Sequence, residues 1–410
     1  MEPVHPTAPK NRILEIDFVR GFALLGILLV NMALFKGSVF EMVVLPAKAG
    51  SAVDIISRGF IYFFAEGKFY SLFSLLFGLG FSIFILKEEK YGVNAEYAYL
   101  RRIIALMVFG IIHAFFIWSG DILLAYSILG LILIAFKNIS AKGLIKWAVG
   151  MVAFILVINT LIYLLVDLIT MLPNADMIYE QIENSFDQYR EKAIMAHDTY
   201  SGTNYLAMIG IRAREVGLYY SGFFNVFPSI MSMFLIGFAL GKSGKLNDIE
   251  GNKPFFRKLF AITLLLGLPL AALNAYGITT YSRLVFDLNA MYQTFGLYLG
   301  APILALAYFS GGILLFHSFS NSKFLIAVAS AGRMALTNYL MQSIICTTLF
   351  YGYGFGLFGK ISVLEGIVIS ISLWLCQLPL SYWWLKKYKF GPAEWLWRSI
   401  TYKQWQSNKL

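Results

Sequence analysis

The sequence predicts an all-α, polytopic integral membrane protein with about ten transmembrane helices and both termini in the cytoplasm. Of its 410 residues, 59% are hydrophobic and only 14% are charged, whereas soluble domains carry about 25% charged residues. The apolar residues are gathered into runs of about 20, the length that spans a bilayer as a helix. These observations exclude a disordered chain and disfavour a soluble domain, and we treat residues 1–410 as a single transmembrane domain.

Ten apolar segments define the predicted spans. They cover roughly 18–35, 69–86, 103–118, 121–136, 144–168, 226–240, 257–276, 294–316, 324–350 and 361–385. The first is predicted to be an uncleaved span rather than a signal peptide, because Asp17 and Arg20 intrude at its start and no small-residue cleavage site follows.

The distribution of positive charge predicts the orientation. Alternate loops and the tail hold most of the Lys and Arg residues, whereas the longest loop, 171–225, has four basic residues against seven acidic ones. By the positive-inside rule, both termini are cytoplasmic and residues 171–225 are extracytoplasmic. The net charge of +10 then belongs to cytoplasmic loops that face anionic membrane lipids, and no nucleic-acid partner is expected.

Three segments outside the spans have amphipathic character. Residues 176–200 and 203–220 predict a pair of short amphipathic helices over the outer mouth, with a solvated connector as the alternative. Residues 54–66 suit a separate interfacial helix. The tail, 386–410, interleaves Trp with Lys and Arg and is predicted to lie at the cytoplasmic interface.

The sequence lacks the motifs that would indicate disulfide, metal or nucleotide chemistry. Cys346 and Cys376 both lie in apolar runs and are predicted to be buried, unreactive thiols, so neither a disulfide nor a metal site is expected. No Walker loop, dinucleotide fingerprint or His-Glu-x-x-His motif occurs, and no permanently bound cofactor is expected. Glu66 and Lys68 are interpreted as an exposed ion pair of little energetic value.

Polar residues inside spans are the best indicators of function, because they are costly in lipid. Asn31 follows Arg20 by eleven residues in the first span, and His113 follows Arg102 by eleven in the third. Eleven residues of helix rise about 16 Å. Two arginines near the inner surface would therefore lie below two polar side chains deeper in the membrane.

His113 is the only histidine inside a predicted span, and Asp121 follows it closely. Asp121 could orient the imidazole, as a carboxylate does for a general-base histidine. It could equally cap the N-terminus of the fourth span, a role that needs no catalysis. The sequence leaves both alternatives open.

The ninth span carries a second polar group. Arg333 and Thr337 are four residues apart, as are Asn338 and Gln342, and both pairs would lie along one continuous helix. Hydrogen bonding between helices explains the neutral residues. Hydrogen bonding alone does not explain Arg333, because a charge in a span requires a carboxylate, a cavity or an anionic ligand. Asp17 is one partner that we consider.

Five blocks of sequence resemble a known family. They are Asp17–Asn31, Lys68–Gly78, His113–Tyr126, Gly332–Tyr339 and Phe390–Arg398. Together they resemble the YeiB family, a bacterial membrane family of undetermined function. The first block is also similar to the wider transmembrane acyltransferase group, which includes the acyltransferase-3 proteins and the heparan-alpha-glucosaminide N-acetyltransferases.

The resemblance implies acyl transfer in the bacterial inner membrane, with acyl-CoA as co-substrate. Its phosphates would bind the arginines near the inner surface, Arg20, Arg101, Arg102 and Arg333. The group's catalytic His normally lies in the first span or shortly after Asn31, and none is present there. His113 would act instead as the base, with Asp121 behind it and Asn31 at the oxyanion.

The expected partners and two alternative functions follow from the same polar residues and from the membrane location. Membrane lipids, a glycan or lipid acceptor and a second copy of the chain are the partners considered; Asn338 and Gln342 are assigned to substrate binding and Asp17 to an ion pair. A transporter or flippase using the same polar residues is the main alternative. A membrane scaffold, in which those residues only fix helix packing, is the third.

Overall fold

The computed structural model describes residues 12–44, 50–91, 95–173, 175–280 and 287–410. Every regular element in these ranges is a helix. The helices are α1 (Leu14–Lys36), α2 (Val39–Val44), α3 (Ala52–Phe64), α4 (Lys68–Tyr91), α5 (Ala95–Ile112), α6 (Leu123–Leu133), α7 (Ala141–Thr170), α8 (Ala175–Ser201), α9 (Tyr205–Ser221), α10 (Phe223–Lys242), α11 (Lys253–Thr280), α12 (Leu288–Phe295), α13 (Ala301–Ser318), α14 (Lys323–Arg333), α15 (Ala335–Phe350), α16 (Val363–Lys387) and α17 (Pro392–Tyr402). Two π-helical turns, His113–Ile117 and Gly296–Gly300, extend α5 and α12.

The predicted membrane fold is confirmed. Within the described residues, eight helices are long and apolar enough to cross a bilayer, and α14 with α15 make a ninth if the bent pair is one span. The fourth predicted span, 121–136, is a shorter apolar helix, Leu123–Phe136. The chain is therefore an all-α, multi-pass membrane protein.

The ninth predicted span is not the continuous helix that we expected. It breaks between α14 and α15 with a bend of 83°, and the intervening Met334 has the non-helical torsions φ −108° and ψ 32°. Arg333 ends one helix and Thr337 lies in the first turn of the next. The predicted polar strip that joined them along one helix face is therefore wrong.

Two expectations about the second span also change. The predicted interfacial helix, 54–66, is α3, which continues through a short turn into α4 as one apolar stretch of 35 residues, Ala52–Leu86. Lys68 lies within this stretch and is fully buried, with Nζ donating to the Tyr62 carbonyl at 2.7 Å. The interpretation of Lys68 as part of an exposed pair is thus wrong.

Helix α1 lies at the centre of the bundle. It packs against α4, α13, α14, α15 and α16, and 61% of its apolar segment is buried, against 11% for α7. Small residues permit this close packing. A Cβ atom at Gly21 would lie 1.9 Å from the Val328 carbonyl oxygen of α14, and one at Gly332 would lie 1.8 Å from the Asp17 carbonyl oxygen.

The two ends of the bundle differ in composition. The N-terminal arginines, the start of α5 and the tail helix α17 meet at one end, which we call the inner end following the charge distribution. Helices α2, α8 and α9 pack together at the other, outer end. The predicted pair of helices between residues 171 and 225 is thus present as α8 and α9, and α9 packs on the π-helical turn after α5.

The contact between α4 and α10 gives a prediction about stability. A Cβ at Gly78 would lie 1.9 Å from the Phe234 carbonyl oxygen, whereas one at Gly80 meets nothing within 4 Å. Gly78→Ala should destabilise the protein by about 1–3 kcal/mol, the typical effect of overpacking. Gly80→Ala should be neutral or slightly stabilising, because Ala favours the helix. Thermal unfolding in detergent measures both, and equal melting temperatures would contradict the close contact.

Candidate functional site

Three buried side chains form a hydrogen-bonded series in the middle of the bundle. His113 Nδ1 lies 2.7 Å from Asp121 Oδ2, and His113 Nε2 lies 2.8 Å from Ser343 Oγ. All three residues are 1% exposed or less. A carboxylate, an imidazole and a hydroxyl in this order are the groups of a Ser-His-Asp triad. The histidine and the aspartate are the predicted pair, and the serine was missed by the sequence reasoning.

The chain around His113 is shaped so that Asp121 returns to it. The π-helical turn ends at Trp118, whose backbone is extended and whose N–H donates to the His113 carbonyl at 2.7 Å. The Trp118 ring stacks on Phe35 with centroids 4.0 Å apart. A Cβ at Gly120 would lie 2.4 Å from the Trp118 ring, so only glycine fits this reversal. A π-helical turn of this kind is frequent at functional sites.

Asp121 fills both of the roles between which the sequence could not decide. Its Oδ2 bonds to the imidazole, and its Oδ1 accepts the Leu124 backbone N–H at 2.7 Å, in the first turn of α6. One carboxylate therefore fixes both the start of α6 and the orientation of His113. Because Asp121 accepts at Nδ1–H, it favours the neutral tautomer whose Nε2 is a proton acceptor.

Asn31 is half-buried on α1 and forms no side-chain hydrogen bond to any residue that the structure describes. Its helix neighbours Leu28, Met32 and Phe35 share an apolar cluster with Trp118. The structure thus brings the Asn31 segment beside the His113 turn, without a direct bond between the two side chains. Its role at an oxyanion stays a prediction.

Asn338 and Gln342 are occupied by contacts between helices. The Asn338 amide donates to the Ala331 carbonyl and to Ser381 Oγ, each at 3.0 Å. Gln342 Nε2 donates to Gln377 Oε1 at 2.8 Å. These bonds tie α15 to α14 and α16, as hydrogen bonds commonly do in membrane bundles. Substrate binding by the two residues remains untested.

The arginines at the inner end form one group that we call the inner arginine cluster. Its members, whose charges act on one another, are Arg12, Arg20, Arg102, Arg333 and Arg398. Asp17 pairs with Arg12 at 2.5 Å and with Arg20 at 3.1 Å, as an ion-pair residue should, but not with Arg333. The Arg333 guanidinium reaches the Lys389 carbonyl at 3.3 Å, and its Nε has no partner among the described residues.

Arg101 and Arg102 contact the tail helix α17. Arg101 Nε donates to the Thr401 carbonyl at 2.9 Å. Arg102 lies with its guanidinium carbon 3.5 Å from the centre of the Trp397 ring, a cation–π contact. Burial lowers the pKa of Arg398, and the positive charges of Arg12 and Arg20 add to this lowering. An excess of buried positive charge favours the binding of an anion.

Compared with the arginines predicted from the sequence, the inner arginine cluster gains Arg12 and Arg398 and lacks Arg101, which bonds instead to the Thr401 carbonyl. Arg12 is joined to Arg20 through Asp17, which is only five residues away in the sequence, whereas Arg398 comes near Arg12 and Arg20 only in the folded chain. Within the described ranges, no group of three His, Cys, Asp or Glu residues lies close enough to hold a metal ion. Cys346 is buried as predicted, whereas Cys376 is exposed on α16.

A carboxylate cluster at the outer end was also missed. Glu215 of α9 accepts hydrogen bonds from Ser119 Oγ and Tyr200 OH, each at 2.6 Å, and from the Val39 N–H at 2.9 Å. Burial raises the pKa of this carboxyl. Ser119 is two residues from Asp121, so Glu215 fixes the outer helices α8 and α9 directly over the His113 turn.

The chain is similar over nearly its whole length to proteins without an assigned activity. It is 34% identical to the uncharacterized protein YxaH of Bacillus subtilis (strain 168), covering 99% of this chain and 98% of the relative. It is 33% identical to the uncharacterized protein YeiB of Escherichia coli (strain K12), covering 95% and 96%. An uncharacterized 39.9 kDa protein in the amylase 3' region of Bacillus acidopullulyticus is 29% identical, covering 97% and 96%.

Residues 240–404 match the family described as "Protein of unknown function (DUF418)". This part contains α15 with Ser343 and the tail helix α17. No solved structure matches the chain significantly. The full-length similarity and the match over the C-terminal part agree with the five sequence blocks, and the chain therefore belongs to the YeiB family of membrane proteins of unknown function.

Proposed function

We propose that this protein is an acyltransferase of the bacterial inner membrane, which moves an acyl group from cytoplasmic acyl-CoA to a hydroxyl or amine acceptor. The observation that carries the proposal is the buried bond between His113 and Asp121 within the bundle. An imidazole held in one tautomer by a carboxylate is prepared to take a proton from a nucleophile. Acyl transfer to a hydroxyl or amine requires such a base.

The inner arginine cluster supports the choice of donor. Acyl-CoA carries several phosphates, and a guanidinium group can bind a phosphate with two parallel hydrogen bonds, in a bidentate manner. Arg20 lies near the start of α1, and Asn31 lies about 16 Å further along the same helix. A donor bound by its phosphates at the inner end would extend its flexible arm toward the level of Asn31 and His113.

The acceptor would arrive from the outer end. Helices α8 and α9 cover the His113 turn there, joined to it through Glu215 and Ser119. Arg212 of α9 also donates to the Phe116 carbonyl of the turn at 2.9 Å. Movement of these helices would expose the turn to a glycan or lipid headgroup, while the donor stays on the cytoplasmic side.

Donor binding by the purified protein in detergent tests the proposal. Acetyl-CoA should bind, and Arg20→Ala should weaken its affinity roughly 10- to 100-fold, the effect of losing a hydrogen bond to a charged group. Asp17 keeps Arg12 as its partner in this variant, so the fold should persist. Arg190→Ala, an exposed change on α8, is the control and should bind as the wild type does. If the purified protein neither binds nor hydrolyses acyl-CoA, the proposal is wrong.

A transporter is the second candidate, favoured by the broken helix pair. Transporters often bind substrate at discontinuous helices, and the 83° bend between α14 and α15 is such a break, although the sequence shows no proline there. The fully buried Lys68 in the second span is a further ionisable group inside the membrane, where such groups commonly mark a transport pathway. This candidate predicts substrate flux in reconstituted vesicles without any acyl donor.

A further inference from the structure

The ring of His113 has no nitrogen left for an external acceptor. Nδ1 is bonded to Asp121, and Nε2 is bonded to Ser343 at 2.8 Å. A base that acted directly on an incoming hydroxyl would need Nε2 to be open. The first proton within reach of His113 is therefore the hydroxyl proton of Ser343.

The direction of this hydrogen bond follows from the groups around it. Asp121 accepts at Nδ1–H, so Nε2 of the neutral ring has a lone pair and no proton. In this neutral tautomer the Ser343 hydroxyl is the donor. Its other acceptor, the Tyr339 carbonyl of its own helix, lies further away at 3.3 Å.

Several buried serines of the bundle form a different kind of hydrogen bond. They donate to a carbonyl of their own helix at 2.7–2.8 Å, as is usual for serine in membrane helices. Examples are Ser82 to Leu79, Ser127 to Leu124, Ser310 to Leu306 and Ser370 to Gly366. Ser343 instead makes its short bond to an imidazole on another element. Ser119 also bonds to another element, but its acceptor is the Glu215 carboxylate, whereas Ser343 bonds to an imidazole that is itself bonded to Asp121.

We infer that Ser343 is the nucleophile of a covalent acyl-enzyme intermediate, an inference that rests on the proposed acyl transfer. Ser343 Oγ attacks the thioester carbonyl carbon while its proton moves to His113 Nε2. The C–S bond breaks, and the leaving thiolate takes the proton from His113. The acyl group remains on Ser343 as an ester.

The second half of the reaction returns the enzyme to its first state. A hydroxyl or amine acceptor gives its proton to His113 Nε2 and attacks the ester carbonyl. The bond between the carbonyl carbon and Ser343 Oγ breaks, and the serine recovers the proton. No oxidant or reductant is needed, and the substrates are an acyl thioester and an alcohol or amine.

The position of Ser343 near the middle of α15 suits an intermediate that carries the acyl group between the two ends of the bundle. It lies eight residues from the start of α15 and seven from its end, which is about 12 Å and about 10 Å along the helix. A donor that enters from the inner end and an acceptor that enters from the outer end would each need to extend only to the middle of α15 to reach Ser343. The acyl group could thus cross the membrane on the protein, and the two substrates need not be bound together.

Two probes test the inference on the full-length protein in detergent. The first is labelled acetyl-CoA followed by acid quench and peptide mass analysis, which should find acetyl ester on Ser343. The second is an alkyl fluorophosphonate, which labels nucleophilic serines without any acyl donor. Wild type and the control Ser370→Ala should react with both probes.

The variants give distinct outcomes. Ser343→Ala should lose both labels and release CoA slower by about a thousandfold or more, and Ser343→Cys should carry a thioester that neutral hydroxylamine removes. CoA release by Ser343→Ala at the wild-type rate would overturn the inference and leave the proposed function standing. Fluorophosphonate labelling of Ser343 without any reaction of acyl-CoA would support the nucleophile and reject the donor. Labelling by neither probe would overturn the inference.

Discussion

Asp121→Asn should lower the turnover of acyl thioester by about 10³- to 10⁴-fold while leaving the protein folded. The asparagine oxygen can still accept the Leu124 N–H that now bonds to Oδ1, so the start of α6 is kept. Its NH₂ group would face His113 Nδ1 and donate to it. The ring proton then moves to Nε2, which can no longer accept the proton of Ser343.

A comparison of variants separates orientation of the ring from stability. Asp121→Ala loses both the imidazole contact and the cap of α6, and it should reduce turnover and the melting temperature together. Steady-state kinetics and thermal unfolding of the two variants in detergent give the necessary data. Wild-type turnover in Asp121→Asn would mean that Asp121 serves the helix alone and that the proposed role of His113 is wrong.

The part of the site that is local in sequence could be predicted. His113 and Asp121 are eight residues apart, and the reversal between them is short enough to be recognised from Ser119 and Gly120. A polar residue in a span is costly, which drew attention to His113 itself. The same argument singled out Arg20 and Asp17, because both are charged residues at the start of a span.

Contacts between distant segments could not be predicted in this way. Ser343 lies 230 residues from His113, and nothing in the sequence distinguishes it from the serines that bond only to their own helices. Lys68 seemed exposed because Glu66 is close by, whereas the structure buries it against α3. In each case the pairing of helices decides, and apolar periodicity carries no information about which helices are neighbours.

The bend at Met334 shows the same limit for the fold. The segment 324–350 has uniform hydropathy and no proline, so it was predicted to be one helix. Its continuity is broken by the tail: Glu394 Oε1 accepts the backbone N–H groups of Leu336 and Thr337 at 2.7 and 3.0 Å. A carboxylate from 58 residues away thereby caps α15 and allows the chain to turn there.

Glu394→Ala should destabilise the protein by about 1–3 kcal/mol, because it leaves two buried N–H groups without an acceptor. Glu394 also accepts the Thr337 hydroxyl at 2.5 Å, so the loss would free the inner end of α15. The bond between Ser343 and His113 depends on the position of that helix. We therefore expect thioester turnover to fall with stability, although Glu394 touches no reacting group.

Glu394→Gln is the matched variant. The glutamine oxygen can accept both N–H groups, so stability should stay near that of the wild type. Burial raises the pKa of Glu394 above its ordinary value. Its contribution to stability is therefore fully present below that ordinary value and is lost as the pH rises through the raised pKa. Melting temperatures measured from pH about 4 to pH about 8 should show this decline in the wild type but not in Glu394→Gln.

These measurements decide whether the tail is part of the catalytic apparatus in a positioning role. If Glu394→Ala melts as the wild type does, the cap is not what holds α15 at the bend. If it is destabilised but keeps full turnover, the position of Ser343 must be fixed by its own contacts and by those of Asn338 and Gln342 with the neighbouring helices. A joint loss that Gln restores would connect the tail helix α17 to the buried triad through the single helix α15.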